Sequence, residues 1–216
     1  MKVELLSHTP DAVKVAFTAI RTCYSSSDQE YIWNEEFDKY KENNEDHIRL
    51  IKQILNHGHT STLEHVSFTF ALSGVSRSLL AQLTRHRIGF SYSVQSQRYV
   101  KMSTDSKHGS FNYITPPSIM SVDSLIVYDD LMKEIQKAYD KLVSMGIRAE
   151  DARYVLPNAA TTNVTVSFNL RAFLDFYKKR NAETHAQWEI QQLAETLRKE
   201  IEKAEPWVEE LFKELY

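Results

Sequence analysis

Two stretches of strict alternation constrain the fold of this 216-residue chain more than any other feature. Val66, Phe68, Phe70 and Leu72 alternate with Ser67, Thr69 and Ala71, and Val164, Val166 and Phe168 alternate with Thr165 and Ser167. A period of two puts successive side chains on opposite faces of a strand, so both stretches predict half-buried strands. Met1 to Ser7 reads as a short strand, and Gly74 is expected to break the second one. The remaining apolar residues follow helical spacing. Thr9-Pro10-Asp11 has the form of a helix start, with a hydroxyl cap and proline at the first position; that helix runs toward Ile20 and breaks near Cys23. Residues 28–45 lack a clear period and predict a loop or irregular helix. Asp46 is placed to cap a helix carrying Ile51, Ile54 and Leu55, which Gly58 ends. Leu79, Leu80 and Leu83 mark the buried face of another helix, with Gln82, Arg85 and His86 sharing a second face at its end. Residues 101–121 form a long loop. From about Ser124 a helix follows with Leu131, Ile135, Leu142 and Met145 as its buried stripe, closed by Gly146. Glu150 to Leu156 makes a short turn stopped at Pro157. Leu170, Phe173, Leu174 and Tyr177 line one helix; Ala186, Ile190, Leu193, Ala194, Leu197 and Ile201 line the last long one; Pro206 starts a short terminal helix. Strands and helices mix without βαβ alternation, which predicts an α+β fold with a single domain over residues 1–216.

The formal net charge is −3, so the whole molecule is no electrostatic trap for nucleic acid. Any anion site must be a local cluster of cations. Cys23 is the only cysteine. That excludes an internal disulfide and fits a reducing compartment, hence a cytoplasmic location. The first residues are too short and polar a run for a signal peptide, and no apolar run reaches membrane-spanning length. The five glycines are too scattered for a dinucleotide fingerprint or a phosphate loop. A phosphorylated ligand would therefore rest on side chains and helix ends.

The stretch from Arg85 to Tyr99 concentrates such side chains: Arg85-His86-Arg87, then hydroxyls and amides, then Arg98 and Tyr99. Arginine forks match phosphates and carboxylates, and Ser, Gln and Tyr add directional hydrogen bonds. This composition suits an anionic ligand with a polar ring, such as a nucleotide; a solvated basic loop is the alternative. His57-Gly58-His59 with Glu64-His65 matches no helical zinc pair, and no metal is expected. Either Glu64 and His65 hydrogen-bond across a strand start, or His59, Ser61 and Glu64 line a ligand. Cys23 reads as a small buried hydrophobe and not as a nucleophile. Asn169-Leu170-Arg171, coming off a strand, is a helix start of the kind that favours anions. Arg153 and the Lys178-Lys179-Arg180 run are, alone, surface cations.

Taken together, Arg85-His86-Arg87 followed by Ser96-Gln97-Arg98-Tyr99 resembles the signature of flavin-dependent thymidylate synthases. The resemblance extends over nearly the whole chain: Gly58-His59 to Ser61 and Glu64-His65, Gln82 before Arg85, Glu150 with Arg153 and Leu156-Pro157, Asn169 with Arg171, and Arg180 before His185 to Ile190. It implies conversion of dUMP to dTMP in a homotetramer with active sites at subunit junctions, FAD as cofactor, NADPH as its reductant, methylenetetrahydrofolate as carbon donor, and no cysteine nucleophile. It also implies an antiparallel sheet flanked by long helices. By resemblance, Ser61, Glu64, Arg85, His86, Arg87, Gln95, Asn169 and Arg171 hold the flavin. Gln82, Arg85, Ser96, Gln97, Arg98, Arg153 and Arg180 hold dUMP, with Arg180 favouring ionisation of the uracil at N3. His59 would face folate or flavin.

Three positions depart from that pattern. Ile88 to Gln95 is one residue longer than the resemblance requires, so either Val94 or Gln95 fills the nucleotide-facing position, Gln95 being the chemically competent one. Asp175 stands where an amide touching flavin is expected. The gap from Arg180 to His185 is also one residue long. The competing reading is a nucleotide or single-stranded nucleic-acid binding module using Arg and Tyr. The negative net charge counts against it, and so does the lack of aromatics alternating on a strand near the basic run.

Overall fold

The structure is a computed structural model and describes residues 1–39 and 45–215. In chain order it forms β1 (Lys2–His8), α1 (Ala12–Tyr24), an irregular helical stretch from Gln29 to Lys39, α2 (Glu45–Asn56), a 3-10 turn (Thr60–His65), β2 (Ser67–Ser76), α3 (Arg77–Leu83), β3 (Phe90–Val94), α4 (Val122–Ser144), β4 (Thr161–Asn169), α5 (Leu170–Arg180), α6 (Trp188–Ala204) and α7 (Glu209–Leu215). The strands make an antiparallel sheet in the order β1-β2-β4-β3. Within residues 28–45, the expectation for 40–44 lies outside the described residues.

The chain packs as two compact units. The first comprises Met1–Lys2, Ala71–Arg85 and Tyr92–Thr165. Its core gathers Met102, Phe111, Met132, Tyr139, Ala152 and Ala160. The long loop after Tyr99 is tied to α4 by side chains of that helix. Gln136 accepts from the Phe111 amide at 3.0 Å and donates to the Met102 carbonyl at 2.9 Å, and Tyr128 donates to the Ile114 carbonyl at 2.7 Å. The buried face of α4 is the expected one only at Ile135 and Leu142. Leu131 and Met145 are exposed, while Met132 and Tyr139 are buried and Ile135 and Leu142 are partly covered. A phase error of one residue turns a helix face by about 100°, and α4 carries apolar residues on both sides.

The second unit comprises Val3–Phe70, His86–Ser91 and Val166–Tyr216. Its centre is aromatic. Phe168 of β4 stacks on Phe70 of β2 and on Phe173 of α5, at centroid distances of 5.7 and 5.0 Å. Each fully buried side chain of this size stabilises by about 1.5–3 kcal/mol. The predicted stripe of α6 is buried from Ile190 to Ile201, and Phe176 joins the expected face of α5.

Four local expectations are corrected. The Thr9 hydroxyl does not cap α1; it accepts from the Ser67 amide at 2.8 Å, and Asp11, at φ 50°, precedes the helix with no side-chain cap. Asp46 lies inside the first turn of α2, where it pairs with Arg49 at 2.9 Å. Gly74 does not end β2: at φ 68° it continues the strand to Ser76, and its amide bonds Asn163 Oδ1 at 3.3 Å. Finally, α3 stops at Leu83, so Arg85 and His86 do not share a helical face with Gln82. The chain turns instead into β3, which pairs with β4 through Gln95 N–H to the Asn163 carbonyl (2.9 Å) and Asn169 N–H to the Gly89 carbonyl (3.2 Å).

Candidate functional site

In the second unit, Arg180 ends α5 and its Nε–H donates to His86 Nε2 at 3.2 Å. The His86 ring stands edge-on to Phe176 at 4.9 Å and tilted toward Phe90 at 6.1 Å. Accepting at Nε2 requires the lone pair there, so the neutral ring carries its proton on Nδ1. An arginine anchored through Nε presents its two Nη groups as a planar fork for a further acceptor. Arg87 and Ile88 follow on the exposed turn; Ile88 is 93% exposed, an apolar side chain in water between an arginine and a glycine.

That turn meets the start of α5 closely. Gly89 has φ 71°, and a Cβ there would lie 2.6 Å from Ala172 Cβ and 2.9 Å from Asn169 Nδ2. Only glycine meets both conditions, a left-handed φ and direct backbone approach. Asn169 caps α5 by accepting from the Ala172 amide at 2.8 Å, and the Leu170 amide bonds the Val66 carbonyl at 2.7 Å. Two first-turn donors are thus already used, and the helix end offers an anion less backbone than its sequence suggests. Arg171 pairs instead with Glu64 from the 3-10 turn, both of them exposed. Ser61 is exposed on that same turn.

In the first unit, Glu150 is a hub of cations. Its carboxylate receives Arg98 Nε at 2.7 Å and Arg148 at 2.8 Å, and its carbonyl receives Arg153 Nε at 3.0 Å. Burial, with Arg153 as like charge nearby, holds the Arg77 guanidinium below its usual range. Arg98, Tyr99, Lys101 and Arg148 line a cavity of about 350 Å³ together with Glu150. The Ser96 hydroxyl accepts from the Arg98 amide at 3.2 Å, which turns the chain there. Gln97 is buried, and its Nε2 has no hydrogen-bond partner among the described residues. Gln95 and Val94 both line a shallow cleft beside Asn163.

The predicted residues therefore divide. Ser61, Glu64, His86, Arg87, Asn169, Arg171 and Arg180 lie in the second unit, and Gln82, Arg85, Gln95, Ser96, Gln97, Arg98 and Arg153 in the first. Inside each unit some are brought into contact (His86 with Arg180, Glu64 with Arg171, Arg98 and Arg153 with Glu150). Asp175 pairs with Lys179 at 2.7 Å, one turn along α5. Cys23, expected to be buried, is exposed on the last turn of α1. Ile88, Arg148 and Arg77 escaped the sequence reading. The alternation Phe90, Tyr92, Val94 around Ser91 and Ser93 would have revealed β3 and thereby the outward position of Ile88; it also corrects the expectation that no aromatics alternate on a strand near the basic run, although Phe90 and Tyr92 are half-buried and the exposed face carries the serines.

The sequence model of the family described as "Thymidylate synthase complementing protein" matches residues 4–207. The flavin-dependent thymidylate synthase of Clostridium tetani is 39% identical, covering 95% of this chain and 84% of that protein. That of Geobacter sulfurreducens is 41% identical, covering 90% of this chain and 79% of that protein. Among solved structures, the UMP/dUMP methylase PolB from Streptomyces cacaoi, determined with 5-Br dUMP bound, superposes with a TM-score of 0.80 at 22% identity over 98% of this chain and 94% of that one, which establishes a common fold. With its residues 4–207 matched and these relatives alike over most of their length, the chain belongs to the thymidylate synthase complementing protein family, the flavin-dependent thymidylate synthases.

Proposed function

We propose that this protein makes dTMP by reductive methylation of dUMP, with FAD as cofactor, NADPH as its reductant and methylenetetrahydrofolate as carbon donor. The observation that carries the proposal is the pairing of Arg180 with His86 on an aromatic wall, beside a glycine turn pressed onto the start of α5. The donor set suits a flavin. Arg87 and Arg171 are exposed cations fit for a pyrophosphate, Asn169 and Ser61 add neutral polar groups, and Ile88 offers an apolar side chain for a flat ring. When bound, the flavin supplies the hydride that completes the new methyl group.

The protein's own task is electrostatic. Arg180, held through Nε, directs its remaining N–H groups at the pyrimidine and stabilises negative charge developing toward N3. That charge makes C5 of uracil the better carbon nucleophile, and no enzyme thiol is needed. Gln82, Arg85, Ser96, Gln97, Arg98 and Arg153 hold the nucleotide, the cations at its phosphate. The buried, unpaired Nε2 of Gln97 favours an acceptor supplied by the ligand. Residues 1–216 act as one synthase domain in a cytoplasmic homotetramer, in which neighbouring subunits complete each site. The exposed apolar stripe Val122, Ile126, Val127 and Leu131 on α4 suits a subunit contact. No helix among the described residues is long and apolar enough to cross a membrane.

The purified protein is expected to be yellow, bleached by NADPH, and to release tritium from C5-labelled dUMP only when folate and NADPH are present. A colourless protein that retards oligonucleotides in a gel would instead favour the nucleic-acid binding module. Cys23→Ala is expected to keep turnover within about twofold of the parent, since an exposed surface substitution costs little; loss of turnover from that change alone would overturn the cysteine-free chemistry. Arg87→Ala is expected to weaken flavin binding about tenfold, the worth of one charge-assisted hydrogen bond. Full flavin content after dialysis would remove Arg87 from the cofactor site.

A further inference from the structure

The seven residues Asn181–Gln187, between Arg180 and α6, are densely hydrogen-bonded. Asn181 is 3% exposed; its Oδ1 accepts from the Glu183 amide at 2.9 Å, and its carbonyl accepts from the Thr184 hydroxyl at 2.8 Å. Gln191 of α6 donates to the Thr184 carbonyl at 2.7 Å. One side chain grips both sides of Arg180. The Glu195 carboxylate, also on α6, accepts from the Tyr177 hydroxyl at 3.0 and 3.1 Å and from the Ala182 amide at 3.1 Å. Arg198 Nη1 donates to the same hydroxyl at 2.8 Å and lies over the Tyr177 ring. Tyr177 stands one turn before Arg180, and Ala182 two residues after it.

We infer that Glu195 is a positioning residue for Arg180, holding the backbone from which the guanidinium reaches the pyrimidine. The inference rests on the role proposed above for Arg180. A partly buried network of carboxylate, phenol and guanidinium contributes little stability over apolar packing, because desolvation offsets the attraction. What it adds is a fixed origin for a long side chain. Displacement of a positioning group by about 1 Å can cost about 10²-fold in rate.

The test uses the full-length holoprotein. Glu195→Ala is expected to lower the kcat of tritium release about 10²-fold. It should raise the dUMP dissociation constant about tenfold, by freeing the charged donor of Arg180. Flavin content and bleaching by NADPH should stay at parental levels, which a general structural defect would not allow. In an Arg180→Ala background, Glu195→Ala should bring no further loss of dUMP affinity. Additive losses in that cycle, or a normal Glu195→Ala enzyme beside a defective Arg180→Ala enzyme, would overturn the positioning role alone. A fully active Arg180→Ala enzyme would overturn both that role and the reading beneath it. If Glu195→Ala fails to fold, Tyr177→Phe removes the tether on the helix side, together with the bond that hydroxyl accepts from Arg198, and leaves the Ala182 contact in place. It is expected to lower kcat about tenfold with flavin retained, and unchanged kcat in Tyr177→Phe would refute the clamp.

Discussion

Arg180→Ala should abolish dTMP formation while leaving the flavin bound. The side chain ends α5 and is anchored by His86, so its loss removes a preoriented donor without removing a cap or a core contact. Removing one donor that stabilises developing charge costs about 10²–10³-fold in kcat, and a full guanidinium facing a pyrimidine belongs at the upper end of that range. Of the expected flavin ligands, His86 pairs with Arg180 but is also held against Phe176 and Phe90, and Arg87, Asn169 and Arg171 stand outside that pairing. The absorbance of the bound flavin and its bleaching by NADPH should therefore persist. Arg180→Lys keeps the charge but loses the fork and the Nε anchor to His86, so it should recover only part of the rate. Measured tritium release near the parental rate, or loss of the yellow colour, would remove Arg180 from the chemistry.

Gly89→Ala should be the most damaging single methyl addition in the second unit. The new Cβ would fall 2.6 Å from Ala172 Cβ and 2.9 Å from the Asn169 amide, at a φ of 71° that L residues avoid. The left-handed conformation alone costs about 1–3 kcal/mol. The overlap must then be relieved by moving backbone or the cap of α5. Together these should lower the melting temperature by about 6–12 °C and loosen flavin binding, since the turn carries Arg87 and Ile88. Gly58→Ala is the control. It shares a positive φ (83°) but would meet nothing within 4 Å, so it reports the conformational cost alone. Equal melting temperatures for the two variants would show that the Gly89 contact is not tight.

Local rules made most of the elements legible. The alternation of Val66 to Leu72 and of Val164 to Phe168, the stripe from Ile190 to Ile201 and the glycine after α2 each express a short-range constraint of backbone geometry and solvent. The order of the motifs around Arg85, Arg98, Arg153, Asn169 and Arg180 also sufficed to point to the family. Local rules failed where two local answers were nearly equal. The helix α4 has apolar residues on two sides, and only packing against Met102 and Phe111 chose Met132 and Tyr139 over Leu131 and Met145. Gly74 carries the signal of a strand end, but pairing with Asn163 kept it inside the strand.

The partners of the cations were not legible at all. Arg171 found Glu64 at a separation of 107 residues, and Arg180 found His86 at 94. A charge carries no period and no propensity that names its counterpart, since Coulomb attraction selects whatever the folded backbone brings near. The sequence by itself determined three of the four strands of the sheet, most helices and a family; the tertiary structure alone decided which acid or ring each arginine meets, because those distances exist only once the chain has closed.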